Sequence, residues 1–177
     1  MQNQPSEQIL RVERFNTPTG RMLIVSDAQG QLRAVDWEDH EQRMQRLLRR
    51  YSDADALILR EVRRKSTARR ALEAYFAGAL DAIDVLTTAT YGTEFQRQVW
   101  RELRRIPTGR ALSYGALATR IGRPSAVRAV GLANGANPIA IVVPCHRVVG
   151  ANASLTGYGG GLERKHWLLA HEGERPR

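Results

Sequence analysis

The chain has 177 residues and a single cysteine, Cys145, so it can form no internal disulfide. Its four histidines, His40, His146, His166 and His171, are scattered. No Cys/His cluster has metal-ligand spacing, and neither a metal nor another cofactor is expected. Without disulfides the chain suits a reducing compartment, so a cytoplasmic location is expected. No apolar run approaches membrane length, and no basic segment leading into an apolar one opens the chain, so no membrane partner is expected. No Gly-Lys-Ser/Thr follows the glycines at 157–161, which excludes a Walker-type phosphate loop. Lysine is almost missing: Lys65 and Lys165 stand against 25 arginines. Acidic residues are scarce in one half only. Residues 1–91 hold 14 basic and 13 acidic side chains, whereas residues 92–177 hold 13 basic and 5 acidic. The net charge of +9 therefore lies almost wholly in the half that carries Cys145. A polyanion, nucleic acid above all, is the natural partner of such a half.

What is present reads as two domains, 1–91 and 92–177. Residues 1–7 are polar and expected to fray. Three strands follow over 9–16, 21–26 and 31–37, separated by Thr17-Pro18-Thr19-Gly20 and Asp27-Ala28-Gln29-Gly30. Those turn residues predict an antiparallel meander. Met44, Leu47, Leu48 and Tyr51 fall at helical spacing and predict a helix over 40–51, with Arg43, Arg46, Arg49 and Arg50 on its solvated faces. A loop over 52–55 leads to a second helix over 68–79, capped by Ser66 or Thr67, with Leu72, Tyr75 and Phe76 inward. Residues 80–93 read as a linker. This half carries no nucleophile with a neighbouring base.

The second half opens on Thr93-Glu94-Phe95-Gln96, a capping box, and its helix buries Phe95, Val99, Leu103 and Ile106. Ser113 is placed to cap a short helix over 114–121. Gly122-Arg123-Pro124 turns the chain, and Ser125 is placed to cap a helix over 126–136. Two short helices around a glycine-containing turn form a helix-turn-helix candidate. Ala126, Ala129, Gly131, Ala133 and Gly135 keep the second helix thin, and Arg128 projects from it. Small residues either admit a groove to the backbone or pack the helix tightly on its own protein, and the residue types favour neither. Pro138 to Val143 is apolar and β-branched and reads as a short buried strand or extended stretch, ended by Pro144. Cys145, His146 and Arg147 follow. A thiol beside an imidazole and a guanidinium can part with its proton, and the thiolate is the nucleophile. The final helix, 162–171, leads to Glu172, a carboxylate set against the helix dipole, and Gly173.

With these residues assembled, the chain resembles the O6-alkylguanine-DNA alkyltransferase family. The resemblance rests on Ile141-Val142-Val143-Pro144-Cys145-His146-Arg147-Val148, Asn137-Pro138, Ser113-Tyr114-Gly115, Arg128-Ala129-Val130-Gly131, Tyr158-Gly159-Gly160-Gly161 and Trp167-Leu168-Leu169-Ala170-His171-Glu172-Gly173. It is strong over 92–177 and looser before that, where Glu73-Ala74-Tyr75-Phe76-Ala77-Gly78 and Val35-Asp36-Trp37-Glu38 look like the free-standing bacterial members. It implies an α+β fold: a small N-terminal antiparallel-sheet and helix (RNase H-like) supporting domain, then a mainly helical, winged-helix-like domain with a helix-turn-helix. It implies irreversible, single-turnover transfer of an alkyl group from O6-alkylguanine in duplex DNA to Cys145. O4-alkylthymine as a second substrate, the preferred alkyl size and cooperative binding to DNA stay open; a monomer is expected. The implied catalytic set is Cys145, His146, Glu172, Tyr114 and Asn137. The implied DNA contacts are Arg128, Tyr114, Gly115, Arg123, Ala126, Ala129, Gly131 and Ala151, in a minor-groove docking with base flipping. The implied substrate pocket is Tyr158, Gly159 and Val148. Gly159 stands where some members have Ser, which leaves a roomier pocket. Two other readings compete: a cysteine hydrolase built on Cys145, His146 and Glu172, and a non-catalytic DNA-binding module.

Overall fold

The computed structural model describes residues 7–52, 54 and 56–173. The polar opening 1–6 and Asp53 and Asp55 lie outside the described residues. Two compact units divide the chain, Met1–Tyr91 and Gly92–Arg177.

In the first unit, β1 (Glu7–Thr17), β2 (Gly20–Ser26) and β3 (Leu32–Trp37) form the expected antiparallel meander. A fourth strand, β4 (Ala56–Glu61), pairs parallel with β1 and gives the order β3-β2-β1-β4. The sequence does not announce it, because none of its six residues is fully buried and its polarity neither alternates nor runs continuously apolar. Between β3 and β4, α1 (Glu41–Arg50) turns Met44 and Leu48 into a core with Leu10, Val12, Leu23, Val25 and Ala34.

Five arginines of this unit, Arg14, Arg21, Arg33, Arg43 and Arg69, pair with its carboxylates. Arg14 reaches Glu38 and Glu41 at 3.0 Å each and Glu61 at 2.7 Å. Arg43, expected on a solvated face, instead bonds Asp36 at 2.7 Å. Burial pushes the Asp36 carboxyl up from its usual range, and the Arg43 charge partly offsets this.

The second helix, α2 (Thr67–Phe76), is capped by Ser66, whose Oγ accepts from Arg69 N at 3.1 Å. It buries Ala68, Leu72 and Tyr75, while Phe76 is only half-buried and sits edge-on to the Tyr75 ring. It ends before the expected 79, since Gly78 has φ +107° and cannot continue a helix. The stretch read as a linker is stitched to β3: Leu32 N donates to Thr87 O and Ala89 N to Leu32 O, both at 2.9 Å.

In the second unit, α3 (Glu94–Leu103) starts at the predicted capping box, with Gln96 N to Thr93 Oγ1 at 3.2 Å and Thr93 N to Gln96 Oε1 at 2.9 Å. Val99, Leu103 and Ile106 are buried as expected, while Phe95 is half-buried. Trp100 is buried as well, and its Nε1 donates to Ala133 O at 2.9 Å. After α3 come β5 (Leu112–Ser113), α4 (Tyr114–Arg120), α5 (Val127–Gly135), β6 (Val148–Val149) and α6 (Leu162–His171). Ser113 caps α4 through Ala116 N at 3.1 Å, but Ser125 does not cap α5: its N-cap is Ala126, without a side-chain bond.

Residues 138–143 form no strand. They are a buried run of turns in which Ile141 takes φ +70°. The β-branched pattern reported burial correctly but not backbone conformation. Asn137 explains the difference: its Oδ1 accepts from Ile139 N at 3.0 Å and its Nδ2 donates to Val143 O at 2.8 Å. One side chain thus replaces the ladder a strand would need.

Candidate active site and nucleic-acid interface

Two residues of parallel ladder organise the site. Leu112 pairs with Val148 and Ser113 with Val149. β5 runs directly into Tyr114, the first residue of α4, and β6 directly follows a 3₁₀ turn, Cys145–Arg147. The pairing is parallel, so Tyr114 leaves the ladder at one end and the turn carrying Cys145 enters it at the other; the two residues are 31 positions apart in sequence.

Cys145 is 6 % exposed. Its N–H donates to Val143 O at 2.8 Å, and its Sγ accepts from Asn137 Nδ2 at 3.1 Å. A donor on sulfur favours the thiolate over the thiol. His146 has no exposed surface, and its Nε2 lies 2.8 Å from Glu172 Oε1. Arg147 grips the same carboxylate twice, Nε to Oε2 at 2.7 Å and Nη2 to Oε1 at 2.9 Å. Its Nη1 donates to Ile106 O at 2.7 Å, and Nη2 also donates to Thr108 Oγ1 at 3.1 Å.

The protonation states follow. The His146 partner and the Arg147 guanidinium hold the Glu172 carboxyl far below its usual range, against the effect of burial. An ionised carboxylate only accepts, so the proton on His146 sits on Nε2. Burial pushes the imidazole pKa down, so the ring is neutral near pH 7. Its Nδ1 is then a buried base lone pair, and it meets no hydrogen-bond partner among the described residues. The carboxylate set against the helix dipole thus has its reason: Glu172 is the C-cap of α6, followed by Gly173 at φ +87°, and serves a buried imidazole and guanidinium. The Pro107–Gly109 turn packs so close that a Cβ on Gly109, itself at φ +74°, would lie 2.9 Å from Glu172 O.

Tyr114 Oη lies 3.4 Å from Thr156 O and 3.5 Å from Gly157 O. Burial raises its pKa, and charge on Cys145 raises it further, so the phenol keeps its proton. The glycine-rich loop offering those carbonyls is held from the other side by Lys165, a residue the sequence reading does not single out. Lys165 has no exposed surface, and its Nζ donates to Val148 O at 2.6 Å, Thr156 O at 2.8 Å and Gly157 O at 3.4 Å. Burial lowers its pKa to about 8. A signal was available: Lys165 falls on the face of α6 that buries Leu168 and Leu169, at i+3 and i+4. Tyr158 and Gly159, in that loop, are half-buried, and Val148 is fully buried.

Arg128 stands exposed in the first turn of α5 and makes no hydrogen bond or ion pair among the described residues. Ala129 is exposed beside it. Gly131 lies against the Tyr114 ring, where a Cβ would meet Cδ1 at 3.9 Å. Ala126 precedes α5, Gly115 lies in α4, Arg123 sits over the Phe95 ring at 5.9 Å, and Ala151 is in an exposed turn. The thin face is interrupted by Leu132, 73 % exposed one turn after Arg128. Ala133, also read as part of that face, is buried under Trp100. Tight packing and an open thin face therefore both hold, on opposite sides of α5.

Among the described residues no group of His, Cys, Asp and Glu is arranged to hold a metal ion, and no helix is long and apolar enough to cross a membrane.

The fold and site define a cysteine-nucleophile protein with a helix-turn-helix in the same unit. Comparison with known proteins makes this specific. Residues 94–174 match the DNA-binding domain of 6-O-methylguanine DNA methyltransferase, and residues 10–90 match the ribonuclease-like domain of the same protein. The methylated-DNA–protein-cysteine methyltransferase of Salmonella typhimurium is 52% identical over 161 residues, 91% of this chain and 94% of the relative. That of Methanosarcina acetivorans is 45% identical over 159 residues, 90% and 96% of the two chains. The crystal structure of the Mycobacterium tuberculosis O6-methylguanine methyltransferase in complex with DNA superposes with a TM-score of 0.74 at 38% identity, covering 94% of this chain and 95% of the other. The chain belongs to the 6-O-methylguanine DNA methyltransferase family.

Proposed function

We propose that this protein repairs DNA by direct reversal, moving the alkyl group of an O6-alkylated guanine onto Cys145 Sγ in a single turnover. The observation that carries the reading is the buried Cys145–His146–Glu172 series beneath a helix-turn-helix with an unpaired Arg128. His146 Nδ1 takes the thiol proton through a water, and Glu172 holds the ring in the tautomer this needs. The thiolate displaces guanine at the alkyl carbon. Sulfur gains the carbon, the C–O6 electron pair leaves with the base, and the Tyr114 phenol shares its proton with the ring that gathers that charge. Asn137 holds the sulfur and the turn beneath it.

α4 and α5 bind duplex DNA through the minor groove, where Gly115, Arg123, Ala126, Ala129, Gly131 and Ala151 face the backbone. Tyr114 turns the damaged nucleotide outward, and Arg128 fills the gap in the stack. Tyr158, Gly159 and the carbonyls of Cys145 and Val148 receive the base. A poorly paired alkylguanine is cheaper to extrude than a normal base, which adds selectivity. The protein acts as a monomer in the cytoplasm, where its thiol stays reduced.

Mass spectrometry after mixing with a duplex containing one O6-methylguanine tests the reading. A stoichiometric gain of one methyl on Cys145, absent in Cys145→Ala, is expected; tight binding at unchanged mass would leave a lesion-binding module. The thioether has no carbonyl for water to attack, so a second equivalent of substrate stays unconsumed; continued turnover, above all of thioesters, would favour the hydrolase. The added methyl also enters a site where Sγ already lies 3.1 Å from Asn137 Nδ2. Overpacking there costs roughly 1–3 kcal/mol, so methylated protein melts lower than unmodified protein. Equal or higher melting in a thermal scan would show that the site has room to spare.

A further inference from the structure

Asn134 has no role in the mechanism above, yet it occupies the middle of the site. It is 4 % exposed, in the last turn of α5, between buried Ala133 and exposed Gly135. Its Nδ2 lies 3.4 Å from Cys145 O, and the side chain lies near enough to Tyr114 to act on its phenol. Gly131, one turn earlier on the same face, touches the Tyr114 ring. The amide cannot be turned round, because only its nitrogen can donate to the Cys145 carbonyl. In that orientation Oδ1 is left buried and without a hydrogen-bond partner among the described residues. A buried acceptor left unpaired costs stability. A side chain serving only to pack α5 would be apolar here, as Val130 and Ala133 are.

We propose that Asn134 is a positioning residue for alkyl transfer: its amide holds the Cys145 carbonyl toward the base and donates to the Tyr114 oxygen as that phenol shares its proton with the departing guanine. The inference rests on the alkyl-transfer reading and adds to it a link from the DNA-binding helix to both reacting ends of the site. As the C–O6 bond breaks, negative charge reaches the guanine ring. As the Tyr114 proton moves toward the ring, the charge is passed to the phenol oxygen. An N–H held toward that oxygen is worth most at that moment, when the charge develops on it. In the resting protein the same donor works against the effect of burial on the Tyr114 proton.

The test varies the leaving group rather than the protein alone. Free O6-benzylguanine and its 8-bromo derivative need no base flipping, and the bromine makes the purine a better leaving group that leans less on the phenol. Single-turnover consumption is measured for the unmodified protein, Asn134→Leu, Tyr114→Phe and the double variant. Asn134→Leu is expected to slow O6-benzylguanine about 10-fold and the 8-bromo compound only about 2-fold, with little further loss on adding Asn134→Leu to Tyr114→Phe. Equal slowing of both substrates, or full additivity with Tyr114→Phe, would overturn the proposal and leave Asn134 a packing residue. If Asn134→Leu does not fold, Asn134→Ser, too short to reach either oxygen, is read by the same criteria. Failure of the unmodified protein to take the methyl group of O6-methylguanine in a duplex would sink the alkyl-transfer reading itself, a different result from a failed Asn134 effect.

Discussion

Glu172→Gln is expected to remove most of the stability and nearly all of the activity. The carboxylate accepts from His146 Nε2 at 2.8 Å, Arg147 Nε at 2.7 Å and Arg147 Nη2 at 2.9 Å. An amide of the same shape has one accepting oxygen, so its NH₂ must face a donor. The Arg147 charge, 4 % exposed, then loses its counterion. Removing one partner of a buried ion pair costs about 3–5 kcal/mol, because the other charge stays buried. The imidazole also loses the acceptor that fixes its proton on Nε2, so its Nδ1 is no longer reserved as the base. Loss of that general-base function is expected to slow alkyl transfer by about 10²–10⁴-fold in the protein that remains folded. Urea denaturation and single-turnover transfer, measured on the same preparation, check the two effects separately. Unchanged stability and rate would mean that Glu172 is a bystander.

The pH dependence of stability carries the same signature. The His146 pKa in the fold lies below its ordinary 6.5, so below about that pH the unfolded chain binds the extra proton more readily. The contribution of this group is intact above pH 6.5 and drains as pH falls toward the folded value. Glu172, also lowered in the fold, adds a second loss that begins below its ordinary 4.5. Melting temperature should therefore fall in two stages on acidification, and Glu172→Gln should shrink the lower one, to which Glu41 and Glu73, held down by Arg14 and Arg69, also contribute.

Much of this site was legible in the chain because its chemistry is local in sequence. Cys145, His146 and Arg147 are consecutive, and Pro144 and Asn137 lie within eight positions of the thiol. Glu172 was legible for another reason: a carboxylate at a helix C-terminus violates the dipole preference, and violations of local rules gather at functional sites. The capping box at Thr93 and the meander turns also reported their structures directly, being short-range chemistry.

What escaped depends on the third dimension. β4 is an edge strand that pairs with β1 and rests Leu57 and Leu59 on the core, neither of which its own pattern can reveal. The turns over 138–143 escaped because Asn137, a single polar residue, overrides the extended preference of the apolar run that follows it. Lys165 and Asn134 escaped because a buried polar residue reads as an exposed one until its partners are known. Lys165 finds three backbone carbonyls and Asn134 one, none of which has a side-chain identity to read. Arg43 shows the converse error: a cation taken for solvated that answers a buried carboxylate on β3.

Arg128→Ala should cripple repair of duplex DNA while leaving the chemistry intact. The side chain is exposed and unpaired among the described residues, so truncation costs the fold almost nothing. On DNA the position matters in proportion to the work of keeping a nucleotide out of the stack. Unstacking costs a few kcal/mol per step, and a guanidinium in the vacated space recovers part of it. A loss of about 2–3 kcal/mol corresponds to roughly 30–150-fold slower repair of O6-methylguanine in a duplex. The free base O6-benzylguanine is already out of any stack, so its consumption should stay within about twofold of the unmodified protein. That contrast separates the filling role from two simpler ones. A phosphate-binding arginine would weaken binding to damaged and undamaged duplex alike and lower the salt slope by about one ion. A residue that merely supports α5 would slow both substrates together. Only a group that acts on the extruded state spares both the free base, which never has to be extruded, and the binding of undamaged duplex.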